Sequence, residues 1–218
     1  MARKYEMKRR AEAQAETRGR IVEAAVELHR TIGPARTTVS AIAQRARVQR
    51  HTYYRYFPSE RDLILACSGL DMERNPPPDA QPWAEIADPV ERLRIGLDDL
   101  YSYYAANEAM LSNVTRDAEV HPETREVAAM RFGPTMAAMH AVLTSGMPAS
   151  AVPLIGLALQ FTTWRSLVRD SSLSQRAAVK TMVEAVEAAR ATDAQRTRRR
   201  RRSAAPRQAS APRKPAPR

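Results

Sequence analysis

His51-Thr52-Tyr53-Tyr54-Arg55-Tyr56-Phe57-Pro58-Ser59-Glu60 places four of the chain's twelve aromatic residues within five positions and then stops at Pro-Ser. Rings packed this densely suit a core corner, a ligand cage, or a surface where rings and a cation meet a charged partner. The flanking residues decide between these. Proline pushes the residue before it out of the helical region, so a short helix is predicted to end near Phe57. Before it, Thr37 or Thr38 can cap a second short helix that sets Val39, Ile42, Ala43 and Ala46 on one side. Arg47-Val48-Gln49 is the turn between the two. A longer helix from about Glu12 to Thr31 precedes both, with Ile21, Ala24, Ala25 and Leu28 at helical spacing and Gly33-Pro34 closing it.

Two short helices joined by a tight turn inside a three-helix unit have the form of a DNA-binding helix-turn-helix, although an ordinary helical hairpin shows the same spacing. Sidedness separates the two. Tyr53 and Phe57, four apart, turn inward with Val48 against Val39 and Ile42. The opposite face then shows Gln49, Arg50, His51, Tyr54 and Arg55, with Tyr56 at its edge. Glu27 is the one carboxylate from Ala24 to Phe57. A solvated helix face normally mixes charge signs, so a run carrying only cations points to a phosphate-lined groove.

The charge of the whole chain agrees once it is divided. Residues 1–57 hold thirteen Lys and Arg against five Asp and Glu, residues 58–195 hold twelve against nineteen, and residues 196–218 hold ten against none. The net +11 is therefore +8, −7 and +10 in succession. A basic front and tail around an acidic middle imply a polyanion engaged at particular places, with double-stranded DNA the leading candidate.

The rest of the chain reads as helix. Ser59 is expected to cap a fourth helix, with Asp62 returning a bond to the cap backbone, that runs to the break at Asn75-Pro76-Pro77-Pro78. Asp88-Pro89-Val90-Glu91 opens another, whose Val90, Leu93, Leu97, Leu100, Tyr101 and Tyr104 form one stripe. Further helices are expected over Asn107 to Asp117, from Pro122 with a bend at Gly133-Pro134, over Leu154 to Arg169, and over Leu173 to Ala191 with Ser172 and Gln175 as a capping box. The fold class is all-α with about nine helices. From Arg196 the sequence is RTRRRRRSAAPRQASAPRKPAPR, with no apolar residue larger than alanine or proline, so residues 194–218 are expected to be a disordered basic tail.

Several classes are disfavoured. The most apolar run, Ala151 to Trp164, is interrupted at Gln160 and too short to span a bilayer, and the charged N-terminus leads into no apolar stretch, so a soluble cytoplasmic protein is expected. Cys67 stands alone, which excludes an internal disulfide framework and suits a reducing compartment. His121 and His140 lack partners at metal-ligand spacing, and no activated nucleophile or phosphate loop is visible. No metal, cofactor or catalytic residue is therefore assigned, and the chain is not expected to be an enzyme.

From about Arg20 to Ile64 the sequence resembles the TetR family of transcriptional regulators. The resemblance rests on Ile21, Ala24, Ala25, Leu28, Gly33, Thr37-Thr38-Val39, Ile42-Ala43, Ala46, Val48, Thr52-Tyr53-Tyr54, Phe57-Pro58-Ser59 and Leu63. It implies a three-helix DNA-binding head over 1–57 with an N-terminal extension over 1–11, and a helical effector and dimerisation domain over 58–193. It also implies that Arg50, His51, Thr52, Tyr54, Arg55 and Tyr56 lie at the groove and that Thr38 touches a phosphate. The family usually has glycine where Arg47 stands, serine where Gln49 stands, and lysine where Glu60 stands. Arg47 and Arg50 are candidates to replace that lysine's phosphate contact.

The resemblance further implies a small apolar or aromatic effector, for which Trp83, Tyr101, Tyr104, Met110, Met130, Met136 and Trp164 are candidate pocket residues; the same residues at helical spacing also suit a plain core. Leu154, Leu157, Phe161, Trp164 and Val168, with Val179, Met182, Val183 and Val186, form two stripes. They fit either a homodimer interface or burial in the chain's own core. A two-fold dimer would read a pseudo-palindromic operator. The implied function is that of a repressor released by the effector; an architectural or partner-controlled DNA-binding protein is the alternative. The arginine tail lies outside the family pattern, and either raises non-specific DNA affinity or merely solubilises.

Overall fold

A computed structural model describes residues 2–204, and every regular element among them is helical. The helices are α1 (Ala2–Thr31), α2 (Val39–Arg45), α3 (Arg50–Tyr56), α4 (Glu60–Arg74), α5 (Gln81–Ala84), α6 (Pro89–Ala106), α7 (Glu108–Ala118), α8 (Pro122–Thr144), α9 (Val152–Ala158), α10 (Phe161–Arg165) and α11 (Gln175–Ala204). A single 3-10 turn, Pro34–Arg36, follows α1. Helix α1 starts ten residues before the expected Glu12, since the added stretch is rich in Ala, Glu, Lys and Arg, all good helix formers. Helix α11 runs past Ala191 and takes in the arginine run; the Ala-Pro-Arg part of the expected tail lies outside the described residues.

The expected caps are mostly in place, with differences of detail. Thr38 accepts from the Ala41 amide (3.2 Å), Ser59 from that of Asp62 (3.2 Å) and Asp88 from that of Val90 (3.0 Å). Asp62 returns its bond to the Ser59 hydroxyl (2.6 Å) instead of the backbone. At α11 the capping residue is Ser174, which accepts from Ala177 (3.2 Å), and Ser172 takes a left-handed conformation (φ 55°) in the preceding turn.

The single helix expected from Leu154 to Arg169 is broken at Gln160 into α9 and α10, with a π-type turn over Ser166–Asp170. The break strands the carbonyls of Ala158 and Leu159. Tyr101 donates to the first (3.0 Å) and Tyr104 to the second (2.5 Å), both from α6. Orphan carbonyls at a buried helix end need such donors.

Two clusters of buried side chains organise the chain. One joins Ile21, Ala25, Ile42, Tyr53 and Phe57 to Leu63 and Cys67 of α4. The other gathers Trp83, Leu93, Leu97, Leu100, Tyr101 and Tyr104 under Phe161, Trp164, Val179, Met182, Val183 and Val186. This corrects two expectations. Trp83, Tyr101, Tyr104 and Trp164 are packed core residues with 4% exposure or less, Met136 packs half-buried on the same core, and Met130 is 45% exposed, so these residues line no common pocket. Phe161, Trp164, Val179, Met182, Val183 and Val186 cover α6 within the chain and are unavailable to a second copy; Leu157 remains 51% exposed, with Leu154 and Val168 half-buried.

The two clusters meet along a polar seam built by α7. The Asp117 carboxylate, 2% exposed, accepts from the Ala35 amide (2.9 Å) and from Arg116 Nε (2.7 Å). Arg116 also donates to the Ile32 carbonyl (3.0 Å), and Asn113 to those of His29 (3.1 Å) and Arg30 (2.8 Å). Gly33 turns here with φ 94°, and a Cβ on it would overlap Asp117 and Arg116, so glycine is needed on both counts.

His29 is buried at this seam beside the Cys67 thiol (3.4 Å), and burial, opposed by Asp117, lowers its pKa to about 4. The folded state therefore resists a proton that the unfolded chain accepts below about pH 6.5, so stability is full above that pH and falls as pH drops towards 4. Urea unfolding should show a loss on the order of 2 kcal/mol between pH 7 and 5, and His29→Gln should flatten that slope. An unchanged slope in the variant contradicts this account.

Candidate nucleic-acid interface

The turn between α2 and α3 determines how α3 is presented. Val48 donates to the Ala43 carbonyl (2.9 Å) and Arg47 to that of Gln44 (3.2 Å), the paired bonds of a Schellman motif. Arg47 occupies its left-handed position with φ 55°, where the side chain costs about 1 kcal/mol relative to glycine. Gln49 stands at the N-cap of α3 without a side-chain cap bond.

Helix α3 is anchored from behind by two rings. Tyr53 is 2% and Phe57 1% exposed, their centroids 6.1 Å apart, and Arg18 of α1 stacks on Phe57 at 5.0 Å. Burial, reinforced by Glu60, pushes the Tyr53 hydroxyl pKa up to about 12, so this ring is neutral at any working pH. Tyr54 stands edge-on to Tyr53 (5.3 Å) and is 47% exposed.

The outer face contains the residues that the sequence placed there. Thr38, Arg47, Gln49, Arg50, His51, Tyr54 and Arg55 are exposed, and Thr52 and Tyr56 are half-buried. His51 and Thr52 lie within 3.3 Å of each other, and Arg55 stacks over Tyr56 (5.2 Å) while donating to its hydroxyl (3.4 Å). Among the described residues, no carboxylate pairs with Arg47, Arg50 or Arg55. Glu27 is held by Arg45 (2.6 Å). The result is a convex, cationic helix face with hydroxyl and amide donors, at a width that enters a B-DNA major groove.

The start of α4 serves a different purpose. Arg61 is engaged by Glu126 of α8 (2.7 and 3.0 Å), and Glu60 lies 3.4 Å from His121. These contacts tie α4 to α8 and leave no phosphate clamp at Glu60 or Arg61. The long-range partners Asp117, Arg116, Asn113 and Glu126 had no local signal in the sequence; each is an ordinary polar residue on a helix until the fold brings it to its target.

Residues 21–67 match the family model described as bacterial regulatory proteins, tetR family. Over 64 residues the chain is 39% identical to the HTH-type transcriptional repressor KstR of Mycolicibacterium smegmatis, a segment that is 29% of this chain and 31% of that protein. The match thus spans about a third of the curated relative's length. The fold is similar to that of the Bacillus subtilis transcriptional regulator FadR, solved in complex with stearoyl-CoA (TM-score 0.53, 21% identity, 77% of this chain and 96% of that one). It is likewise similar to Salmonella enterica GusR (0.55, 19%, 80% and 95%) and to a tetR-family transcriptional regulator from Streptomyces coelicolor (0.54, 17%, 83% and 82%).

Two substitutions test this face. Arg47→Gly should raise unfolding stability by about 1 kcal/mol, because glycine adopts the left-handed turn without a Cβ penalty; a loss of stability contradicts the assigned turn geometry. Arg50→Ala should weaken binding to a selected DNA site by about 1 to 3 kcal/mol and blur preference at one base pair, as measured by anisotropy on single-substituted duplexes. Unchanged affinity removes Arg50 from the interface.

Proposed function

We propose that this chain, whose residues 21–67 match the tetR family model, is a sequence-specific DNA-binding transcriptional regulator, a homodimeric repressor that a small-molecule effector releases from a pseudo-palindromic operator. The observation that carries this reading is the outward cationic face of α3, where Arg50, His51, Tyr54 and Arg55 are exposed, anchored from behind by Tyr53 and Phe57. Arg50 is assigned to base reading through its planar fork, and Thr38, Arg47 and Tyr54 to phosphates, with Gln49, His51, Thr52, Arg55 and Tyr56 completing the contact. Residues 1–57 form the head, 58–193 the effector and dimer domain, and the basic residues of 194–218 add sequence-independent attraction to DNA in the cytoplasm.

Helix α4 is the proposed coupling element, since Leu63 and Cys67 belong to the head's core while Arg61 is held by α8. An effector that favours one arrangement of α4 shifts the population towards it. A tenfold change in DNA affinity requires only about 1.4 kcal/mol of such coupling.

The dimer surface is assigned to a face other than the buried stripes. No Asp, Glu, Lys or Arg lies between Arg131 and Arg165. On α8, Met130, Gly133, Pro134, Ala137, Ala138 and Ala141 are exposed at helical spacing, and α9 adds exposed Leu157. An uncovered apolar stripe without charge suits a second copy of the chain, because self-association requires no complementary charge pattern.

Footprinting on genomic fragments should give short protected segments with sharp edges; uniform coating of every fragment would instead favour an architectural protein. The double variant Ala138→Arg, Leu157→Arg should sediment as a folded monomer and lose at least about tenfold in DNA affinity. A dimer of unchanged stability places the interface elsewhere.

A further inference from the structure

We propose that the cavity between α1, α4, α7 and α8 binds a small carboxylic acid, its apolar body against Ile64, Met72, Met110 and Val114 and its carboxylate paired with Arg131. The cavity has a volume of about 50 Å³, opens in part to solvent and is lined almost wholly by apolar atoms, with Val26 and His29 of α1 and Val127 and Arg131 of α8 among its walls. Of the pocket residues expected from sequence, it contains Met110 alone.

Arg131 is the feature that calls for a ligand. Its Nη2 donates to the Leu65 carbonyl (3.0 Å), its Nε is enclosed without a partner, and among the described residues no carboxylate lies within ion-pair reach of it. Asp71, the acidic residue on the cavity wall, is already engaged by Arg30 (3.1 Å). Arg131 is a half-buried cation on the wall of an apolar cavity with no counter-charge beside it, and a carboxylate supplies both the charge and a planar pair of acceptors. Arg92 makes the contrast. Its Nε is likewise unpartnered, but its other nitrogens bind the carbonyls of Ile86 and Ser145 and it lines none of the cavities described, so it acts as a clasp between loops.

The size limits the ligand. The space holds about four water-sized groups, and Met72 and Met110 can rotate to admit somewhat more, which fits a short apolar acid better than a ring system. Because the walls belong to both α1 and the body helices, occupancy alters the seam that positions the head. Only that last step rests on the effector reading above; binding itself does not.

The test uses the full chain, with butanoate, hexanoate and octanoate and the corresponding primary alcohols as probes in calorimetry. The best acid should bind about tenfold or more tighter than its alcohol; the preference should vanish in Arg131→Gln and persist in Arg131→Lys, with circular dichroism confirming that both variants fold. Val114→Trp, which fills the cavity and keeps the cation, should abolish binding. Equal affinity for acid and alcohol, no binding of any acid, or an acid preference that survives Arg131→Gln overturns the proposal. If the acid binds through Arg131 and DNA affinity by anisotropy is unchanged, the site stands and the effector reading fails.

Discussion

Burial of Tyr53, on one side of a seven-residue helix, and of Phe57 at its C-cap is the constraint on which the rest of the structure depends. A helix this short has little stability in isolation. Each ring contributes on the order of 1.5 to 3 kcal/mol of burial, against Ile21, Ala25 and Ile42 in front and Leu63 behind. With those two rings fixed, helical geometry leaves Arg50, Tyr54 and Arg55 no direction but outward. The cationic face is thus a consequence of the core behind it, and the Schellman turn at Arg47 sets the angle at which that face is offered.

The head is bound to the body by directional contacts as well as by apolar packing. Asp117, Arg116 and Asn113 on α7 take up the amide of Ala35 and the carbonyls of His29, Arg30 and Ile32, groups at the end of α1 and in the turn that follows it. On the other side of the seam, Arg61 and Glu126 fix α4 to α8. Polar contacts of this kind are directional and lose strength quickly when displaced, so they fix how α1 sits against α7 and α4 against α8. The cavity beside Arg131 is lined by residues of α1, α4, α7 and α8, the helices that these contacts join.

What the sequence disclosed follows from range. The helix-turn-helix is local: Val39, Ile42, Tyr53 and Phe57 lie within twenty residues, and a cap, a turn and a proline mark its limits. Periodicity also found the stripes on α6, α10 and α11, but a stripe does not reveal what covers it. Here α6 and α11 cover each other, so Val186 and its neighbours, candidates for a dimer face by periodicity, lie in the core, while the uncharged stripe on α8 is exposed. The role of Tyr101 and Tyr104 is not legible in the sequence, because the break at Gln160, which their hydroxyls cap, has no proline or glycine at the break itself to announce it. The cavity was unreadable for a similar reason: its walls come from residues a hundred positions apart, and Arg131 resembles any other helix arginine until its surroundings are known.

Selection of bound duplexes from a random DNA pool tests the central claim most directly, because it depends on the outward face of α3 and on the pairing of two heads together. The account predicts enrichment of an inverted repeat whose half-sites are centred about 34 to 36 Å apart, or a multiple of that spacing. Enrichment of no sequence, or of one unrepeated site bound equally by a chain carrying Arg50→Ala and Tyr54→Ala, would contradict it.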